Sequence, residues 1–270
     1  MSKIFELLWK SEQTTVRPSS AFISDVLENP EEAGELRNIP DEEVRIQPES
    51  RIVLVTDPES PGADRFRFLR MRFRELKEAT NCRRFIVTSP WPQDGKSTIA
   101  LNLATALAEG GKRTVLLIEA DLHRPTLVQR LGLQNRPGFG ECLERGLDPM
   151  SALRRLQPLG WYFLAAGSTL GNPTELLQSD SLSTVMQGLS PCFDWILIDT
   201  PPVAPLTDAL SLSKHTDASL LVVRASQTPQ RAVQEAITRL GPKNVLGIIL
   251  NSAEELERMY SHYYGSGGKT

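Results

Sequence analysis

Short apolar runs alternate with helical patterns along most of the chain. The runs are rich in β-branched and other aliphatic residues, as in strands buried on both faces of a parallel sheet. The predicted strands are residues 51–55, 85–87, 114–118, 161–164, 194–199, 219–223 and 245–250, and the clearest helical patterns are residues 64–76, 99–109 and 229–240. Strands that alternate with helices at this spacing predict the α/β class, with a doubly wound, mostly parallel sheet and helices on both faces.

The pattern divides the 270 residues into three parts. Residues 1–50 begin with a short apolar cluster and continue with Glu, Asp, Pro and Ser, so we expect a short helix and a flexible acidic linker. Residues 51–258 hold the alternating pattern, and we expect them to form one domain. Residues 259–270 are a tail that contains three of the four tyrosines, namely Tyr260, Tyr263 and Tyr264.

Composition narrows the possible functions. The net charge is −3 and no block of Lys and Arg stands out, so nucleic acid is not an expected partner. The three cysteines are widely spaced, which fits neither a disulfide framework nor a zinc site. No apolar run approaches the roughly 20 residues of a membrane span, and the N-terminus lacks a signal-peptide core. We therefore expect a cytoplasmic protein, with any membrane role supplied by a partner.

The clearest chemistry lies in residues 88–98, which read TSPWPQDGKST between a predicted strand and a predicted helix. In that context Gly-Lys-Ser predicts a phosphate-binding loop, in which Lys96 supplies charge to the β- and γ-phosphates and Ser97 holds Mg²⁺. The residues expected to contact the nucleotide are Gln93, Asp94, Gly95, Lys96, Ser97 and Thr98. Gln93 stands where related loops often carry glycine. Either the loop turns differently here or it stores about 1–2 kcal/mol of strain at a positive φ.

Three carboxylates, those of Glu119, Asp121 and Asp199, follow predicted strands. Ligands bind at the carboxyl ends of the strands in open α/β sheets, so we expect these acids near the loop. A Mg·ATP complex needs oxygen ligands for the metal and a group that orients or deprotonates the nucleophile. Asp199 is expected to hold Mg²⁺ directly or through water.

These stretches resemble the Walker A, Walker A′ and Walker B motifs of the bacterial tyrosine kinases of polysaccharide export (BY-kinases). They are residues 89–98, 116–125 and 196–202, of which the second is the most specific. The resemblance implies a P-loop NTPase fold of the deviant Walker type. It implies that Asp121 and Asp199 hold Mg²⁺ with Ser97. It also implies that Glu119 engages the incoming tyrosine hydroxyl or a water on the metal, and that Asn251 lies near the adenine.

Three residues depart from the family's pattern. Gln93 lies in the loop, Glu119 stands where the family usually has Asp, and His123 stands where it favours Arg. Arg124 is expected to compensate for His123 as a catalytic cation. These departures leave a catalytically weak regulatory scaffold as one alternative. A second is an ATPase switch like the partition and division-site ATPases, although residues 89–92 lack the extra lysine that those proteins carry.

The same resemblance extends to assembly. Asp64, Arg67 and Arg70 resemble the Glu-x-x-Arg-x-x-Arg element by which such kinases form rings, and their spacing of three places them on one side of a helix. Tyr260, Tyr263 and Tyr264 resemble the family's C-terminal tyrosine cluster and are the expected phosphoacceptors.

The implied function is that of an ATP-dependent protein-tyrosine autokinase, which phosphorylates its own tail in trans and regulates the synthesis and export of exopolysaccharide or capsule. The implied cofactors are ATP and Mg²⁺. The implied partners are a membrane-spanning polysaccharide co-polymerase or activator, further copies of the chain in a ring, and a tyrosine phosphatase. Its expected location is the cytoplasm, peripheral at the inner membrane through that partner.

Overall fold

A computed structural model describes residues 36–204 and 207–252, with the side chain of Glu49 left out. The strands are β1 Asp41–Glu43, β2 Arg84–Thr88, β3 Val115–Glu119, β4 Arg154–Gln157, β5 Trp161–Leu164, β6 Trp195–Asp199, β7 Ala218–Arg224 and β8 Val245–Asn251. The helices are α1 Val53–Thr56, α2 Pro61–Thr80, α3 Lys96–Ala108, α4 Leu127–Arg130, α5 Phe139–Arg145, α6 Pro149–Ala152, α7 Pro173–Leu176, α8 Asp180–Leu189, α9 Asp208–Ser213 and α10 Gln230–Leu240, with 3₁₀ turns at Pro48–Ser50 and Ser190–Cys192.

The eight strands form one sheet in the order β1-β4-β5-β3-β6-β2-β7-β8. β4 and β5 pair antiparallel, and the other neighbouring strands of the sheet pair parallel. The predicted fold class is therefore confirmed. β4 was missed by the sequence pattern, because its four residues read RRLQ and only Leu156 is apolar.

The centre of the sheet brings the predicted site together. β6 lies between β2 and β3, and Asp199 of β6 is in register with Val87 of β2 and with Glu119 of β3. The three strands run parallel, so their carboxyl ends meet at one edge of the sheet. The phosphate loop follows β2 at that edge, and the acids follow the two neighbouring strands.

Apolar side chains fill a core on each face of the sheet. On one face α2 buries Phe66 and Phe73, with Leu69 and Leu76 packed against the same core, which confirms the predicted helical stripe. The ring of Phe73 meets Phe85 edge-on, with centroids 5.0 Å apart. This packing fixes α2 on β2, the strand that leads into the loop.

Residues 51–55 were predicted as a strand, and that prediction is wrong. Residues 53–56 form helix α1. The amide side chain of Asn102 holds this segment on α3, because Oδ1 accepts from Val53 N at 2.8 Å and Nδ2 donates to Arg51 O at 2.7 Å. Ile52 is fully buried. Tertiary contacts therefore override the β-propensity of a short aliphatic run.

The folded body begins before residue 51, where the sequence places its start. Leu36, Ile39 and Val44 are buried, and β1 adds to the sheet beside β4. The end of the acidic stretch thus belongs to the sheet edge rather than to a linker. The predicted helix at residues 1–10 and the predicted tail lie outside the described residues, as does the predicted domain end at residue 258.

Within residues 36–204 and 207–252, none of the helices combines the length and the apolar character that crossing a membrane requires.

Candidate functional site

Two residues of the phosphate loop have a positive backbone φ angle, in the left-handed region. Gly95 has φ of 100° directly before α3, and a Cβ there would overlap the side chain of Asn251. Gln93 has φ of 66°. The sequence left open whether the loop turns differently at Gln93 or stores strain at a positive φ. The structure shows the positive φ, which costs about 1–2 kcal/mol for a non-glycine residue.

Asp94 forms hydrogen bonds within the phosphate loop and with residues outside it. Its Oδ2 accepts from Trp91 N at 3.0 Å, and its Oδ1 accepts from the Thr228 hydroxyl at 2.7 Å. Its carbonyl oxygen accepts from Asn251 Nδ2 at 2.9 Å. The carboxylate of Asp94 is thus used within the protein, while Asn251 anchors the end of β8 to the loop. A contact between Asn251 and an adenine stays a prediction.

Lys96 is the central cation of the site. Its Nζ lies 3.1 Å from Asp121 Oδ2, 3.3 Å from Ser97 Oγ and 3.9 Å from Asp199 Oδ1. Burial alone would lower the pKa of Lys96, but the charges of Asp199 and Asp121 outweigh it and raise that pKa above its ordinary value. Lys96 is therefore positively charged and partly offsets the negative charges of two carboxylates.

Asp199 is more buried than Asp121, with 1% of its surface exposed against 7% for Asp121. Burial raises the pKa of its carboxyl, and the charge of Lys96 and a hydrogen bond with Ser97 oppose that rise. Its Oδ1 has no hydrogen-bond partner among the described residues. A buried carboxylate oxygen without a donor is suited to a cation.

The residues fit a magnesium ion bound together with phosphates. Oxygen atoms of Ser97, Asp121 and Asp199 all lie within 4 Å of Lys96 Nζ. Across the described ranges, no group of three or more His, Cys, Asp and Glu side chains could hold a metal ion. Mg²⁺ needs no such cage, since it usually binds through one or two carboxylates, waters and the phosphates of its substrate.

The carboxylate of Glu119 accepts hydrogen bonds from the backbone of two loops. Its side chain is fully buried, and Oε1 accepts from Thr126 N at 2.6 Å and from Leu127 N at 2.5 Å. Its Oε2 accepts from Ala166 N at 3.3 Å. Burial raises the pKa of Glu119, and these three N–H groups oppose the rise. In this structure Glu119 therefore clamps the loops after β3 and β5, while its engagement of a tyrosine hydroxyl or of a water on the metal stays a prediction.

Arg124 and His123 follow the acids of the second motif. The backbone N–H of Arg124 donates to Asp121 Oδ1 at 3.1 Å, while its side chain is exposed. Nε2 of His123 lies 2.9 Å from Oδ2 of Asp208, a fully buried carboxylate whose Oδ1 accepts from the Thr174 hydroxyl at 2.8 Å. His123 thus ties the second motif to the starts of α7 and α9.

Arg130 was missed by the sequence analysis. It ends α4, and its Nη2 donates to the hydroxyl of Thr98 at 2.7 Å. Thr98 belongs to the first turn of α3, directly after the loop. The sequence carries no signal for this contact, because only the fold brings α4 against α3.

The remaining predicted residues lie away from the loop or outside the described ranges. Asp64 and Arg67 on α2 pair with each other at 2.8 Å and are exposed or partly exposed. Arg70 lies one helical turn further along. Tyr260, Tyr263 and Tyr264 lie outside the described residues, which end at Ser252, next to the loop-bound Asn251.

Comparison with known proteins finds bacterial relatives, several of them named tyrosine-protein kinases. No family model matches the sequence. The tyrosine-protein kinase ptk of Acinetobacter johnsonii is 34% identical over 64% of this chain and 24% of its own length. The tyrosine-protein kinase YwqD of Bacillus subtilis is 29% identical over 80% of this chain and 91% of its own length. The succinoglycan biosynthesis transport protein ExoP of Rhizobium meliloti is 31% identical over 83% of this chain and 30% of its own. The chain thus spans under a third of two of these relatives and most of the third.

Solved structures agree with these relatives. The BceF tyrosine kinase domain is 33% identical and superposes with a TM-score of 0.66, over 74% of this chain and 81% of that one. The kinase domain of the Escherichia coli tyrosine kinase ETK gives a TM-score of 0.70 at 26% identity, over 74% and 79%. The septum site-determining protein MinD of Pyrococcus horikoshii, in complex with Mg-ADP, gives 0.54 at 26%, over 65% and 72%. The fold is that of nucleotide-binding P-loop NTPases.

Proposed function

The chain belongs to the bacterial tyrosine kinases, and we propose that it transfers the γ-phosphoryl group of ATP to tyrosines of its own C-terminal tail. Among its relatives, ptk and YwqD are named tyrosine-protein kinases, and ExoP is named a succinoglycan biosynthesis transport protein. The observation that carries the proposal is the position of Lys96 beside Asp121 and Asp199, at the end of three parallel strands. A loop lysine beside acids that can hold Mg²⁺ is a recurring part of sites that bind a magnesium nucleotide.

In this proposal each side chain has a separate role. Lys96 binds the β- and γ-phosphates, which replace the carboxylates as its main counter-ions. Ser97, Asp121 and Asp199 would hold Mg²⁺, and the ion would supply positive charge that offsets the negative charge of the phosphates. Asp121 is also the least buried of the strand-end acids, at 7% exposed, and is the candidate for accepting the proton of a tyrosine hydroxyl. Glu119 keeps the surrounding loops in place.

The acceptor is supported by where the described chain ends. Asn251 lies against Asp94 and Gly95, so the last described residues lie beside the phosphate loop. The next 18 residues contain Tyr260, Tyr263 and Tyr264. We place the acceptors in these residues and expect each site to phosphorylate the tail of a neighbouring copy.

A ring of copies through α2 is part of the same proposal. Asp64 and Arg67 lie on its surface, and Phe68 and Met71 beside them are 58% and 47% exposed. An apolar pair flanked by charges is typical of the centre and rim of an interface. Asp64, Arg67 and Arg70 are the proposed contacts.

The relative ExoP is named a transport protein of succinoglycan biosynthesis. By analogy we propose that this chain works with a membrane-spanning polysaccharide co-polymerase or activator, that it is held at the inner membrane by that partner, and that a tyrosine phosphatase reverses its modification. Regulation of exopolysaccharide or capsule export would follow from this cycle.

A second function is favoured by the likeness to MinD with Mg-ADP. An ATPase switch would use the same loop and acids to hydrolyse ATP without a protein acceptor. The experiment that separates the two is incubation with Mg·ATP, followed by mass spectrometry of residues 253–270 and a free-phosphate assay. Phosphotyrosine supports the kinase, phosphate release alone supports the switch, and neither product supports the regulatory scaffold. The variant Lys96→Met serves as the blank in both assays.

A further inference from the structure

We propose that Arg130 is a nucleotide-positioning residue that acts on the phosphates through the hydroxyl of Thr98. The inference rests on the proposed nucleotide binding. It assigns a role to a residue of helix α4, outside the phosphate loop and outside the strand-end acids.

The contact itself is short and well placed. Arg130 Nη2 donates to Thr98 Oγ1 at 2.7 Å. Thr98 is the third residue of α3, so its backbone N–H is among those that have no partner within the helix and face a bound anion. Because its hydroxyl oxygen accepts from Arg130, the hydroxyl hydrogen remains free to donate toward a phosphate oxygen. A hydroxyl that accepts from a cation is also a stronger donor.

The position of Arg130 is set by Glu119. The Glu119 carboxylate accepts the N–H of Thr126 and of Leu127, the residue that begins α4, and also that of Ala166 after β5. α4 is therefore attached to the ends of two neighbouring strands. Leu127 of α4 and Leu131, the residue directly after it, are both buried.

A cavity of about 360 Å³ also borders α4, and its lining includes Glu119, Val128 and Gln129. Val128 packs against the core of this face of the sheet. The Glu119 clamp, these aliphatic contacts and the bond to Thr98 thus carry much of the placement of α4. Arg130 is the member of this set that faces the phosphate-loop helix.

The positive charge of Arg130 is what connects this contact to phosphate binding. Arg130 is half-buried, and burial lowers its pKa while the charge of Asp199 raises it, so the two groups interact. The single positive charge of Lys96 lies beside two carboxylates, those of Asp121 and Asp199. Arg130 supplies a second positive charge beside the first turn of α3, and an arginine keeps that charge at any accessible pH.

The test measures binding and needs no turnover. We would titrate ADP and AMP into wild type, Arg130→Met, Thr98→Val and the double variant, with Arg145→Met as the matched control. Arg145 is an exposed arginine that lies 3.6 Å from Glu144. Arg130→Met should weaken ADP binding roughly tenfold, the size expected for one charge-assisted hydrogen bond, and Arg145→Met should not. The double variant should bind about as weakly as Thr98→Val alone, since the two residues act in series. Arg130→Lys should recover part of the loss.

Each alternative result has a defined meaning. If Arg130→Met binds ADP as wild type does, the inference is overturned while the proposed function stands. If the losses of ADP affinity in the two single variants add up in the double variant, Arg130 does not act through Thr98. A purely structural role would lower the melting temperature without ligand and leave the ADP affinity of the folded fraction unchanged. If Arg130→Met does not fold, Arg130→Lys and Thr98→Val decide the question by the same titration. Absence of ADP binding in wild type would instead overturn the proposed function.

Discussion

Nζ of Lys96 lies 3.1 Å from Oδ2 of Asp121, so the cation of the phosphate loop is already paired with an acid that follows β3. The bond joins the first residue of α3 to the segment after β3, across β6. Lys96 therefore stabilises the protein before any phosphate binds. Binding a nucleotide must exchange one set of negative charges around Lys96 for another.

Replacing Lys96 with Met should affect both binding and stability. ATP binding and tyrosine phosphorylation should be lost. The unfolding free energy without ligand should also fall by about 1–3 kcal/mol, because Asp121 and Asp199 lose their counter-ion. Denaturant titration and calorimetry would measure the two effects. Lys112→Met, at an exposed lysine, should change neither. Normal phosphotyrosine in Lys96→Met would remove the assignment of the loop.

Shortening Glu119 to Asp should lower activity, although Asp is the residue usual in the family. Glu119 accepts hydrogen bonds from three N–H groups, two after β3 and one after β5. A side chain that is one methylene shorter cannot reach both loops. We expect about 1–3 kcal/mol of lost unfolding free energy, with a similar loss in Glu119→Gln. Urea unfolding and phosphorylation rates would check this. A faster Glu119→Asp would show that Glu119 acts on the reacting groups instead.

Replacing Gln93 with Gly should relieve strain in the loop. Gln93 has φ of 66°, which glycine adopts without a Cβ penalty. The unfolding free energy should rise by up to about 1 kcal/mol, with Gln93→Asn intermediate and Gln93→Ala no better than wild type. Thermal melting of the three variants would rank them. An alanine variant as stable as the glycine variant would mean that the loop does not hold this conformation in solution.

Asp194 should make stability depend on pH. It accepts from Lys77 Nζ at 3.0 Å and from Thr114 N at 3.1 Å. Burial alone would raise the pKa of Asp194, but Lys77 and the Thr114 N–H outweigh burial and hold it below its ordinary value. Its contribution is therefore present above the unfolded pKa of about 3.9 and is lost as the pH falls through the folded pKa.

The variant Asp194→Asn should thus unfold more easily than wild type near pH 7, by about 1–2 kcal/mol. The difference should shrink as the pH falls below about 4, where the wild-type carboxyl becomes protonated. Urea titrations at several pH values would follow it, with the exposed Glu59→Gln as control. A difference that stays constant down to pH 2 would exclude a role for the charge.

Sequence reasoning predicted the strands whose residues are apolar throughout, and with them the place of the loop, Asp121 and Asp199. It failed where an element depends on contacts from elsewhere. β4 has one apolar side chain but lies in the sheet, and the aliphatic run at 51–55 became part of a helix held by Asn102. The positions of Glu119 and Arg130 depend on loop backbones that only the folded chain brings together. No local pattern encodes such contacts.

The transfer of phosphate between copies can be tested by mixing two defective chains. One is Lys96→Met, which keeps the tail tyrosines but lacks the loop cation. The other carries Tyr260→Phe, Tyr263→Phe and Tyr264→Phe, and so keeps the site but lacks acceptors. The two differ in mass, so mass spectrometry after incubation with Mg·ATP identifies which chain is modified. We predict phosphotyrosine on the tail of Lys96→Met only when the second chain is present, at a rate that rises with its concentration. An unmodified Lys96→Met tail in that mixture, under conditions in which wild type alone becomes phosphorylated, would contradict phosphorylation in trans.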